Sequence, residues 1–171
     1  EVSRAKELLQ ACTQKIAEIH QTVNAAGISD IYVVKSSKEV AEDAIATARR
    51  CSISTSLKSF VAAVDLANTE ILKAETVCLR EKEKKVKLDA DRRHGENSLE
   101  PALSKFASLC AVVKVSELEK IPEVEECIEN SRKAINSAVV AIDVGNVSNI
   151  HTTVADAIRR VNIAGEEVTR I

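Results

Sequence analysis

The side chains in this sequence that could carry chemistry are five cysteines and three histidines. Cys12, Cys51, Cys78, Cys110 and Cys127 form no CxxC pair and have no histidine at ligand spacing, so neither a zinc pattern nor a dithiol redox pattern is present. His20, His94 and His151 are dispersed along the chain and give no triad or metal spacing. The densest group of oxygen and nitrogen donors is Asp89, Asp91 and His94, which could gather around a cation. Its heavily charged surroundings make it read first as a solvated helix end. GxSxG, HExxH, P-loop and GxGxxG patterns are all lacking, and the paired carboxylates Glu125–Glu126 and Glu166–Glu167 fall on polar faces. The sequence therefore predicts no catalytic residue, no cofactor-binding residue and no metal ligand, which is to say a protein that is not an enzyme.

The cysteines have a regularity of another kind. Cys12 and Cys51 are almost equidistant in sequence from the segment near Ile31, and Cys78 and Cys110 are equidistant from His94. In antiparallel helical hairpins turning at those points, each pair would face across a seam, which makes Cys12 with Cys51 and Cys78 with Cys110 disulfide candidates. Each would contribute about 2 to 4 kcal/mol if oxidised. Cys110 and Cys127 are just as symmetric about a turn near Leu118, so Cys127 is either the alternative to Cys78 or unpaired. Oxidised pairs imply an extracellular or luminal setting, whereas reduced cysteines would simply fill seam positions as small hydrophobes. The only sequon, Asn146-Val147-Ser148, lies in a predicted loop and makes Asn146 a glycosylation candidate.

These residues need elements to position them, and composition limits which elements are available. The chain has 171 residues, 45% of them hydrophobic, with two Phe, one Tyr, no Trp and no Met, so its core must be aliphatic. Four Gly and two Pro provide too few breaks for a sandwich or barrel. Lys plus Arg number 24 against 26 Asp plus Glu, and this balance excludes the basic field that nucleic-acid binding needs. No apolar run reaches the roughly 18 residues of a membrane span. The start at Glu1, without an initiator Met or a signal pattern, leads us to expect a processed or truncated segment of a longer precursor.

Periodicity then predicts helices over about 2–26, 37–93, 98–116, 122–144 and 149–171, within one all-α domain spanning residues 1–171. Ala5, Leu9, Cys12, Ile16, Ile19 and Val23 step by four and three, and Gly27 ends that helix. Ser36 with Glu39 reads as a capping box opening a second helix. That helix carries the stripe Phe60, Val64, Ala67, Ile71, Ala74, Cys78 and could run about 85 Å, with a bend expected in the hydroxyl-rich stretch Cys51–Ser56. His94–Asn97 is the predicted turn, with Ser98 as the next cap and Pro101 in the first turn. Leu99, Leu103, Phe106, Cys110 and Val113 then continue the seam. Ser116, Glu119 and Pro122 mark a restart that leaves helices 3 and 4 nearly continuous. Ile150, Val154, Ala157, Val161, Ala164 and Val168 form the last stripe. The expected architecture is an elongated antiparallel bundle around a long central helical hairpin, a rod thickened at one end by the first and last helices.

Ala-rich heptads, a long helical hairpin, near absence of aromatics, cysteines placed to tie helices and a sequon together resemble the trypanosome surface helical-bundle proteins of the glutamic-acid/alanine-rich and variant surface glycoprotein type. The resemblance extends over the whole chain and rests on pattern, without a diagnostic motif, so no binding residues carry over. It implies an extracellular rod held on a parasite surface by a GPI anchor lying outside this chain, serving as a coat protein or as a receptor for a host molecule. The alternative is an intracellular cytoskeletal adaptor bundle of the talin/vinculin kind, with reduced cysteines and a face that binds partner helices.

Overall fold

The structure, a computed structural model, describes residues 1–54 and 56–171, with the backbone alone for residues 52–54. It is all-α and contains five α-helices among the described residues: α1 (Val2–Ala26), α2 (Tyr32–Ser54), α3 (Leu57–Val115), α4 (Pro122–Val144) and α5 (Val147–Arg170). A single 3-10 turn, Leu118–Lys120, precedes α4. None of these helices is long and apolar enough to cross a membrane. The chain divides into two compact units, Glu1–Val86 and Lys87–Ile171.

In the first unit, α1, α2 and the first half of α3 share one core. Cys12, Ile19 and Val23 of α1 meet Val34, Ala41, Ile45 and Ala48 of α2 and the stripe Phe60, Val64, Ala67, Ile71, Ala74, Cys78 of α3. Alanine at the most buried positions (Ala41, Ala48, Ala67 and Ala74 are all 0% exposed) lets the helices approach closely. Helix α1 stops where Gly27 adopts a left-handed conformation at φ 61°, and its N–H closes on Asn24 O and Val23 O. Ile28 then seals that end of the core, and Lys85 Nζ of α3 donates to Gly27 O at 2.9 Å.

The capping box expected at Ser36 is not used. Val34 and Lys35 already donate to Ile31 O, so α2 starts a turn earlier, and Ser37 Oγ turns back to Val34 O. The predicted 37–93 helix is instead two helices, α2 ending at Ser54 and α3 beginning at Leu57. The bend expected at Cys51–Ser56 falls partly on Thr55, which lies outside the described residues.

The second unit holds the larger departure. The turn expected at His94–Asn97 does not form, and α3 continues through Gly95, Ser98 and Pro101 to Val115. Gly95 is in the helix because its lack of a side chain admits α4 and α5. A Cβ there would stand 2.7 Å from Ile150 Cγ2 and 3.3 Å from Ile142 Cγ1. The seam in this half of α3 uses Leu99, Ala102 and Val113, while Leu103, expected in the stripe, faces solvent. Helix α4 folds back along α3 after a break, so the two are not continuous. Glu117 takes a left-handed φ of 54°, and Pro122 sits in the first turn of α4.

Ile135, Ala138, Ala141 and Ile142 of α4 and Ile150, Val154, Ala157 and Val161 of α5 complete the core with Leu99 and Ala102. Gly145, at φ 73°, ends α4, and Arg92 of α3 donates to Ile142 O at 3.0 Å and Asp143 O at 2.8 Å. Helix α3 contributes to both cores, its first half to that of α1 and α2 and its second half to that of α4 and α5.

Candidate functional site

The cysteines sit where core packing places them. Cys12 and Cys78 are both 2% exposed at seam positions, and Cys110 and Cys127 lie half-buried against Val113, Val124 and Ile128. Burial raises the thiol pKa of Cys12 and Cys78, and it also raises that of Cys127, where Glu167 and Glu126 add to the effect. No disulfide joins the five cysteines among the described residues. Cys78 and Cys110, the second predicted pair, both belong to α3, Cys78 within the core of the first unit and Cys110 against that of the second, and neither forms a disulfide. Cys12 presents its thiol toward Asn68 Oδ1 of α3 and is not joined to Cys51.

Three of the residues singled out for chemistry behave differently from one another. Asp89 stays on the charged surface stretch. Asp91 and His94, one turn apart on α3, are met by His151 from α5. The His94 and His151 ring centroids are 5.8 Å apart and tilted by 49°, and His151 Nε2 stands 3.5 Å from Asp91 Oδ1. The other carboxylate oxygen, Asp91 Oδ2, is buried without a hydrogen-bond partner. The two histidines come together because each adjoins a residue of a close α3–α5 contact, His94 preceding Gly95 and His151 following Ile150. Among the described residues, no three such groups already converge as a metal-ligand set. His20 lies elsewhere, paired with Glu42 of α2.

One feature escaped the sequence reading entirely. Leu72, Leu79 and Val86, spaced by seven residues along α3 in the first unit, are 53%, 49% and 62% exposed. Leu72 and Leu79 each follow a buried seam residue, Ile71 and Cys78, so the stripe runs beside the core on the helix flank. A shallow groove of about 150 Å³ lined by Ile19, Thr22 and Leu79 adjoins it, with Lys15 paired to Glu75 at 2.6 Å on its edge. The seven-residue spacing was legible, but the stronger stripe one residue earlier concealed it.

A wider cleft of about 760 Å³ opens where α1 begins and α3 begins, with Leu8, Leu57 and Val61 among its walls and Arg4, Lys58 and Asp65 at its edges. In the second unit a cleft of about 750 Å³ between α3 and α4 is edged by Glu125, Glu129 and Lys133. Asn146 is exposed at the N-terminus of α5, where Ser148 Oγ donates to its Oδ1 at 2.7 Å. Set against protein-family models, curated proteins and solved structures, the chain finds no match in any of the three.

Proposed function

We propose that this chain is a non-enzymatic scaffold that binds an amphipathic helix of a partner protein, as an intracellular adaptor bundle does. The observation that carries the reading is the stripe Leu72, Leu79, Val86. Aliphatic residues repeating every seven positions on a solvent-facing helix flank are what a second helix packs against, and their exposure leaves that surface open. Cys12 and Cys78 support an intracellular setting, since both are buried at seam positions as small hydrophobes.

A photo-crosslinking residue placed at position 79 in cells that make the protein is expected to capture the same partner as one placed at position 72. A control at Lys84, exposed and on a different face of α3, should capture much less. Equal capture at all three positions would sink the reading. A Leu79→Glu substitution should abolish capture from position 72 while leaving the protein's helicity unchanged, because Leu79 is half-exposed.

One observation favours the second reading, a surface rod serving as coat or receptor and attached by an anchor outside this chain: the exposed sequon asparagine, Asn146. Thiol counting separates the two. Under denaturing, non-reducing conditions the adaptor reading expects five reactive thiols, all of the cysteines in the sequence. A count of one, together with a glycan on Asn146 that is lost in Asn146→Gln, would establish the surface protein instead. Without denaturant, Cys12 and Cys78 are expected to react slowest, since burial both shields their thiols and disfavours the thiolate.

A further inference from the structure

We propose that Asp91, His94 and His151 form a binding site for a divalent transition-metal ion of the zinc or nickel class on the second unit. The donor set suits such ions, since imidazole nitrogen with one carboxylate is the ligand chemistry of zinc, copper and nickel sites. The ring separation suits them too. Two imidazoles holding one ion at about 2.0–2.1 Å put their ring centres roughly 5–6 Å apart, and His94 and His151 stand at 5.8 Å.

The positions are set by the backbone. His94 is fixed by α3 beside Gly95, and His151 by α5 beside the fully buried Ile150, so the close α3–α5 approach holds the pair together with no ion present. Asp91 adds the charge. Its Oδ1 faces His151 Nε2 at 3.5 Å, too long for a good hydrogen bond, and its Oδ2 is buried and unpartnered. A carboxylate left short of partners in this way is stabilised by a cation on its His151 side. Convergence of the three donors requires only that the imidazoles turn about their side-chain bonds. Both histidines are exposed, so no core contact opposes that rotation. Water would complete the coordination, as it does in open sites.

Histidine-selective NMR during zinc titration tests this directly, because the chain has three histidines and His20 lies apart with Glu42. The His94 and His151 signals are expected to shift together along one saturable curve while His20 stays in place. This readout is specific to the site, so zinc captured by cysteines would not imitate it. In His151→Ala the His94 response should vanish with helicity and melting temperature unchanged, since His151 is exposed. Asp91→Asn should weaken zinc binding at least about tenfold. The site is overturned if His94 and His151 do not move, if they titrate with separate midpoints, if His20 moves in parallel with them, or if Asp91→Asn binds zinc as tightly as the native chain.

Discussion

Gly95→Val is expected to destabilise the Lys87–Ile171 unit by about 3 kcal/mol, the upper end of the cost of overpacking a close-packed core. A Cβ at this position lies 2.7 Å from Ile150 Cγ2, a branched methyl on a side chain that is fully buried and held from every side. Ile142, 3.3 Å from the same point, blocks the other direction of relief. Valine adds two methyls beyond that Cβ, so α5 must move outward and the contacts of Ile150 and Val154 are lost with it.

Gly95→Ala should cost less. The added methyl meets the same clash, but alanine recovers about 0.5–1 kcal/mol of backbone entropy that glycine loses in a helix. Combining it with Ile150→Ala removes the clashing methyl, so the double variant should be more stable than the sum of the two single changes predicts. Urea denaturation midpoints of all four variants, Ile150→Ala alone included, measure these effects. An unchanged midpoint in Gly95→Val would mean that Gly95 does not sit against Ile150.

The second large effect has the opposite sign. Pro101→Ala is expected to stabilise the protein by roughly 1–3 kcal/mol, toward the full cost of a proline in a helix interior. Pro101 has no N–H to donate within α3, and its ring crowds the preceding turn. Its side chain is exposed, so removing it gives up no core contact. The experiment also discriminates between two conformations of this segment. Had a helix begun at Ser98, proline in its first turn would be well placed and alanine would be neutral or worse. A lower unfolding midpoint in Pro101→Ala would therefore argue against a continuous α3.

These two residues also mark where local sequence signals and the helix boundaries disagree. Gly95 and Pro101, six residues apart and flanked by charge, carry the local signals of a turn followed by a helix start. Local propensity is a weak prior when tertiary packing competes with it. Burial of Ile142 and Ile150 against Gly95 outweighs the roughly 1 kcal/mol that glycine costs in a helix. Gly27 and Gly145 carry a similar signal and do end helices, because each adopts the left-handed conformation that only glycine takes without strain. Nothing in their immediate sequence separates these glycines from Gly95. The difference lies in what faces them, a cationic side chain from α3 at Gly27 and Gly145 and an apolar core at Gly95.

The cysteine pairing drew on a local signal of the same kind. Cys78 and Cys110 are symmetric about His94, and that symmetry brings them together only if the chain reverses there. The helix α3 carries on through His94, so no reversal occurs at that point. The proximity of His94 and His151 was equally out of reach, since no spacing within α3 or α5 indicates which turn of one helix lies beside which turn of the other.

By itself the sequence determined that this protein is helical and which residues line its helices. Steps of three and four among small aliphatic residues bury one face of a helix wherever that helix ends up, and stripes such as Phe60–Cys78 and Ile150–Ala164 are buried accordingly. Only the tertiary structure decided where the chain reverses, which helices share a core, and therefore which donors meet. Those outcomes depend on contacts between residues far apart in sequence, whose energies outweigh the local preferences that a single segment can express.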